Sequence, residues 1–148
     1  MRRAAYFTSR FFEELRKLAK KASDLPAEVL RVLPLIDSGQ LRMEKVTASE
    51  SRSWIHYYFR LGSKTQSISK RKGYRVHAIV GRTEIRLFTI YEAHHKRHFI
   101  SEDEKKAIKK ALEQETVSDL GAEWFTCDDL VETFISGADL GEAGSDEC

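Results

Sequence analysis

Apolar and polar positions change period along this chain, and the change marks its elements. Over residues 54–61, WIHYYFRL, Ile55, Tyr57, Phe59 and Leu61 take one face, and Trp54, His56, Tyr58 and Arg60 the other. Residues 73–80, GYRVHAIV, alternate again, with Tyr74, Val76, Ala78 and Val80 against Arg75, His77 and Ile79. The turn Gly81-Arg82-Thr83 leads into another strand-like run, EIRLFTIY, over 84–91. A period of two predicts half-buried antiparallel strands. The hairpin is expected to bury one face and to present arginine and histidine on the other. A basic cluster, Lys70, Arg71 and Lys72, precedes it, and His94, His95, Lys96, Arg97 and His98 follow it.

Elsewhere the period is helical. Residues 3–8 predict a short first strand, with Thr8 or Ser9 capping a helix whose inner stripe is Phe11, Phe12, Leu15, Leu18, Ala19 and Ala22. Asp24 is expected to cap a second helix that carries Val29, Leu30, Leu33 and Ile36. Pro34 is expected to kink or end that helix, because it lacks an N–H and crowds the carbonyl of Leu30. Residues 41–47 read as a strand whose alternation slips at Val46, 48–53 as loop, and 62–72 as a polar, basic loop. Ser101 and Glu104 have the spacing of a capping box for a third helix, with Ile108, Ala111 and Leu112 inward. The order β-α-α-β-β-β-α predicts an α+β fold, a small antiparallel sheet with helices against one face. The expected division is a domain over 1–114 and an acidic C-terminal extension over 115–148. Within the extension, the apolar patch from Trp124 to Ile135 predicts a short helix that docks on the body or on a second subunit.

Charge sharpens this division. The 148 residues carry a formal net charge of +2. All 25 Lys and Arg lie in residues 1–110 with 12 acidic residues, a balance of +13, while 111–148 hold 11 acidic residues and no Lys or Arg. A basic body with an acidic tail favours nucleic acid as partner. The acidic segment is expected either to cover the basic face or to complete the core as an ordinary extra helix. No apolar run reaches the length of a membrane span, so no membrane partner is expected. The 2 cysteines, Cys127 and Cys148, have neither disulfide-framework nor metal-site spacing, which points to a cytoplasmic protein.

RNA can be cut by its own 2′-hydroxyl attacking the adjacent phosphorus. The reaction needs a base, a proton donor for the leaving 5′-oxygen, and positive charge over the phosphorane. Histidine serves as acid or base near neutrality. Arginine grips phosphate oxygens and stays charged. All 5 histidines fall between positions 56 and 98. Arg75 and His77 are therefore candidate catalytic residues. Lys70, Arg71, Lys72, Arg86, His94 and His98 are candidate RNA contacts, and Trp54 and Tyr58 candidate stacking partners. His94, His95 and His98 could form a metal site, since His94 and His98 would share a helical face, but no further carboxylate or cysteine ligand is evident to complete it, so neither metal nor cofactor is expected.

The run GYRVHAIVGRTEIRLFTIYEAHHKRHFISEDEKKAIKKAL resembles the RelE/ParE superfamily of bacterial toxins, and HigB-like members above all. Tyr74-Arg75-Val76 opening a strand, the hairpin, an apolar strand ending in Tyr91, a basic knot and a capped helix carry the resemblance over residues 3–114. It implies a toxin of a toxin–antitoxin system that cleaves mRNA, often on the ribosome, and that a cognate antitoxin holds inactive. By position it makes Arg75 the family's strand arginine, Lys70 and Lys72 its basic loop, and His95, Lys96 and Arg97 its basic residues after the last core strand, which join Arg75 and His77 as candidate catalytic residues. Helix 101–114 lacks the tyrosine that some relatives place near the C-terminus. The alternative is a non-catalytic binding module, as in ParE-type relatives that poison DNA gyrase. The natural partners expected are RNA, the ribosome, an antitoxin and, in a homodimer, a second copy.

Overall fold

The computed structural model of the chain describes residues 3–93 and 100–135. Strand β1 (Ala4–Thr8) leads directly into helix α1 (Ser9–Ala19), and α2 (Leu25–Asp37) follows. Strands β2 (Glu44–Ala48), β3 (Ile55–Leu61), β4 (Tyr74–Val80) and β5 (Glu84–Glu92) form a meander, after which comes α3 (Glu102–Gln114). The chain closes with a 3₁₀ turn (Val117–Leu120), strand β6 (Trp124–Thr126), α4 (Cys127–Leu130) and a π-helical turn (Val131–Ile135). Among the described residues, no helix is long and apolar enough to cross a membrane.

The α+β class is as expected, but the sheet is mixed rather than antiparallel. Its order is β2-β3-β4-β5-β1-β6, and β1 runs parallel to β5, with Ala4 opposite Glu84 and Phe7 opposite Leu87. Parity explains this. A chain that reverses at each link between β1 and β5 makes an even number of reversals, so it returns in its original direction.

Helices cover both faces of the sheet. On one side α1 and α2 bury Phe7, Phe11, Leu15, Val29, Phe59 and Val76 in the main core. On the other, Ile108 and Leu112 of α3 join Ile79, Phe88, Ile100 and Val117 in a second core. The open polar face expected of the hairpin is thus absent over the middle of β4. Ile79 lies there at 0% exposure, under α3. The slip anticipated at Val46 is a register shift between Lys45 and Thr47 on β2. A second shift, between His77 and Ala78, leaves Phe88 as the extra residue on β5. Thr8 ties this bulge to α1: its hydroxyl accepts from Phe11 N (3.0 Å) and donates to Phe88 O (2.7 Å).

Three local expectations change. Asp24 makes no side-chain cap on α2. Its carboxylate instead accepts from Ser63 Oγ, Lys64 N and Thr65 Oγ1 at 2.6, 2.8 and 2.7 Å, and so pins the start of the 62–72 loop. Pro34 does not end α2, which continues to Asp37 because Ile36 is buried beyond it. The patch Trp124–Thr126 is not helical. It adds β6 to the free side of β1, with Phe7 opposite Phe125. The segment then completes the main core: Phe125 stacks on Phe12 at 4.6 Å, and Leu130 is 0% exposed. Strands β5 and β1 separate β6 from β4, so residues 124–135 do not cover the basic loop. Residues 136–148 lie outside the described residues.

The burial of Leu130 predicts a large effect of truncating it. Leu130→Ala should lower unfolding stability by about 2–5 kcal/mol in urea titration, as for other buried leucines. A loss below about 0.5 kcal/mol, the size of an ordinary surface substitution, would show that this segment is not part of the core.

Candidate functional site

The 62–72 loop folds back tightly before β4. Ser63 and Ile68 form an isolated bridge, and a Cβ on Gly73 would stand 2.2 Å from Leu61 O, so only glycine allows this closure. The closure brings the carbonyls of the basic cluster to Arg75. Its guanidinium donates to Arg71 O (2.9 Å), Lys70 O (3.1 Å) and Tyr74 O (3.3 Å). Arg75 lies directly opposite Arg60 on β3 and Tyr91 on β5. Two cations in register across a strand pair repel one another. Burial, and then the Arg60 charge, lower the pKa of Arg75, although an arginine remains charged at neutral pH. The nearest relief is slight: Arg60 reaches Glu44 at 3.8 Å, and Glu44 also accepts from the Tyr58 hydroxyl. A cleft of about 780 Å³, lined by Ser67, Ser69, Arg71, Lys72 and Arg75, opens on one side of this group. Another of about 320 Å³, lined by Arg42, Glu44, Tyr58, Arg60 and Lys70, also opens in this region. The cations on either side suit an anionic ligand.

One row deeper the polar residues are internal. His77 faces Tyr58 on β3 and Thr89 on β5 in the strand registers. His56 and His77 are 0% and 4% exposed, rather than surface residues of a polar face. Their rings form a chain: His56 Nε2 lies 2.8 Å from His77 Nδ1, and His77 Nε2 lies 3.0 Å from the Tyr91 hydroxyl. His56 Nδ1 is buried with no partner. A bare acceptor is cheaper to bury unpaired than an N–H. The network therefore assigns the protons as His56 Nε2–H to His77 Nδ1 and His77 Nε2–H to Tyr91 Oη. Burial, and then the Lys105 charge, push the His56 pKa down to about 4. Burial, followed by His56, Lys105 and Arg10, pushes that of His77 down to about 3. Both histidines are neutral at pH 7. Burial chiefly raises the Tyr91 pKa, against the Arg75 charge.

The other candidates divide. Arg86 sits away from this cluster. It pairs with Glu84 at 2.8 Å and is sandwiched between the rings of Tyr6 and Trp124, each 4.6 Å from its guanidinium carbon. Its side chain is 11% exposed, so its donors face protein rather than solvent. Trp54 packs against the second core. His94, His95, Lys96, Arg97 and His98 lie outside the described residues. Among the described residues, no group of three or more His, Cys, Asp or Glu side chains could hold a metal ion. Arg60, Glu44 and Tyr91 were not singled out as site residues from the sequence. The signal for them is cross-strand register: once Arg75 is aligned, Arg60 and Tyr91 are its neighbours.

No protein-family model matches the chain, and no curated protein matches it.

The histidine pair predicts a pH-dependent stability. Both folded pKa values lie below the ordinary 6.5 of the unfolded chain. The neutral forms therefore stabilise the fold above pH 6.5, and that contribution fades as the pH falls toward about 4. Protons taken up only on unfolding give a slope on the order of 2–3 kcal/mol per pH unit near pH 5. Urea midpoints should fall between pH 7 and pH 5, and His56→Phe should flatten the fall. Equal wild-type midpoints at the two pH values would contradict the buried, neutral pair.

Proposed function

We propose that this chain is a metal-independent endoribonuclease, a RelE/ParE-like toxin that cuts mRNA by 2′-hydroxyl attack, acts on ribosome-bound message, and is held inactive by an antitoxin. The observation that carries the reading is the like-charged pair Arg60–Arg75, set in register beside the basic loop. Folding two cations together on a sheet is unfavourable unless an anion stabilises them, and an RNA phosphate has the charge and the oxygens to do so. The order of a strand, two helices, a meander and a capped helix supports the reading, while the mixed sheet, with β1 parallel to β5, differs from the small antiparallel sheet that was expected. Arg75 grips the scissile phosphate in this reading. Arg60, Lys70, Arg71 and Lys72 hold the neighbouring backbone, and Tyr58 offers a ring to an unstacked base.

A non-catalytic reading, a ParE-like gyrase inhibitor or a basic binding module, draws support from His77. Its ring nitrogens are both engaged inside the protein, which removes one catalytic candidate from direct contact with substrate. Induced expression in bacteria, with mapping of RNA ends and of DNA breaks, separates the readings. New RNA ends support the nuclease; intact RNA with broken DNA supports gyrase poisoning.

Within the nuclease reading, Arg75→Ala should lower cleavage by a factor of about 100 or more, the usual loss for one preorganised donor, with the circular-dichroism spectrum unchanged. A folded variant with full activity would remove Arg75 from the site. Cleavage should also persist in a chelator. Inhibition by a chelator that zinc reverses would instead establish a metal-dependent reaction.

A further inference from the structure

The buried histidine pair is bonded to the hydroxyl of Tyr91, the residue opposite Arg75 in the strand register. His56, His77 and Tyr91 lie in line across β3, β4 and β5, joined by contacts of 2.8 and 3.0 Å. A surface tyrosine needs no such support. Burying two imidazoles, one with an orphan Nδ1, is unfavourable by the desolvation of a polar atom. We infer that His56 and His77 are positioning residues that hold Tyr91 as the proton donor to the leaving 5′-oxygen, an inference that rests on the ribonuclease reading.

The direction of the chain decides the role. With His77 Nε2–H donating to Tyr91 Oη, the phenol oxygen already accepts a hydrogen bond. Its own proton is left to point elsewhere, and Arg75 is its register neighbour on β4. A phosphate held by Arg75 would approach Tyr91 from this cross-strand neighbour. As the 2′-oxygen bonds to phosphorus, it gives up its proton to water. The P–O5′ bond breaks with its electron pair on the 5′-oxygen, and Tyr91 protonates that oxygen. The products are a 2′,3′-cyclic phosphate and a 5′-hydroxyl, and the hydronium formed returns a proton to the phenolate. The His77 N–H and the Arg75 charge both stabilise the phenolate while it exists. Burial keeps the hydroxyl protonated beforehand, as an acid must be.

Charged and titratable groups face this chain from every element packed on it. Tyr58 comes from β3 and Arg75 from β4; Lys105 of α3 and Arg10 of α1 act on His77. Beside Tyr91, Glu13, Glu14 and Lys17 of α1 and Lys21 of the turn after it line a groove with Tyr74 and Glu92. Glu14 is committed to Thr89 Oγ1 and Ile90 N at 2.6 and 3.1 Å. Of the groups around it, the hydroxyl of Tyr91 is the one bonded to the histidine pair.

Two measurements test the inference. The first compares cleavage of ordinary RNA with RNA carrying sulfur at the scissile 5′ position, whose leaving group needs no proton. Tyr91→Phe and His77→Leu should cut ordinary RNA at least about 100-fold more slowly and bind it as the wild type does, yet cut the sulfur-bridged RNA at near wild-type rate. The second follows the Tyr91 titration by NMR of ring-labelled tyrosine, which needs no RNA. His77→Leu should raise the Tyr91 pKa through loss of a bond to the charged form; His77→Gln, which keeps a donor, should restore most of the shift. A defect that persists on sulfur-bridged RNA overturns the acid role. A Tyr91 titration indifferent to His77 overturns the positioning role, even if RNA is cut. If the wild type cuts no RNA, the ribonuclease reading falls and takes the acid role with it, while the NMR comparison still decides whether His77 sets Tyr91.

Discussion

A sheet covered on both faces leaves its polar side chains few places to go, and this constraint shapes the molecule. Helices α1 and α2 close one face, and α3 closes the other over Ile79 and Phe88. A polar residue on β3, β4 or β5 must then either find partners inside or lie where the cover ends. His56 and His77 take the first course, bonded to each other and to Tyr91. Arg60 and Arg75 take the second, at the end of the strands where the basic loop enters. The chemistry-bearing residues are concentrated because most of the sheet is closed to them.

Much of this was legible in the alternation and capping signals. Thr8 caps α1 and Ser101 forms the capping box of α3, as their spacing predicts, because these are local interactions within a few residues. The slip at Val46 is a real register shift, since a two-residue period leaves no other way to absorb it. The errors arose where distant segments decide. Period-two alternation in β4 read as one buried face, but α3, which follows β5, buries the other. Asp24 has a cap's position, yet residues 63–65 compete for its carboxylate and win three contacts. Trp124–Thr126 becomes a strand because β1 has a free edge, a fact that the patch itself does not contain.

The candidate site shows the same division. Arg75 stood out from its neighbours in sequence, whereas Arg60 and Tyr91 belong to it only through register. Arg86 had the same residue type and strand setting as Arg75, but the aromatic rings of Tyr6 and Trp124 and the carboxylate of Glu84 enclose it. Type and alternation therefore do not separate a phosphate-binding arginine from a structural one. The distinguishing feature is whether carboxylate and aromatic partners already occupy the guanidinium. Among the described residues no carboxylate lies within ion-pair distance of Arg75; its guanidinium donates to the backbone carbonyls of Lys70, Arg71 and Tyr74.

The central claim is that the Arg60–Arg75 end of the sheet binds the RNA backbone. The salt dependence of binding to a labelled single-stranded RNA measures it most directly. Each phosphate contact to a single strand contributes about 0.7 to the slope of log affinity against log salt. Arg60→Ala and Arg75→Ala should each reduce the wild-type slope by about that amount, while Arg86→Ala, in variants that remain folded, should leave it unchanged. Equal slopes for the wild type and the two site variants would contradict the account.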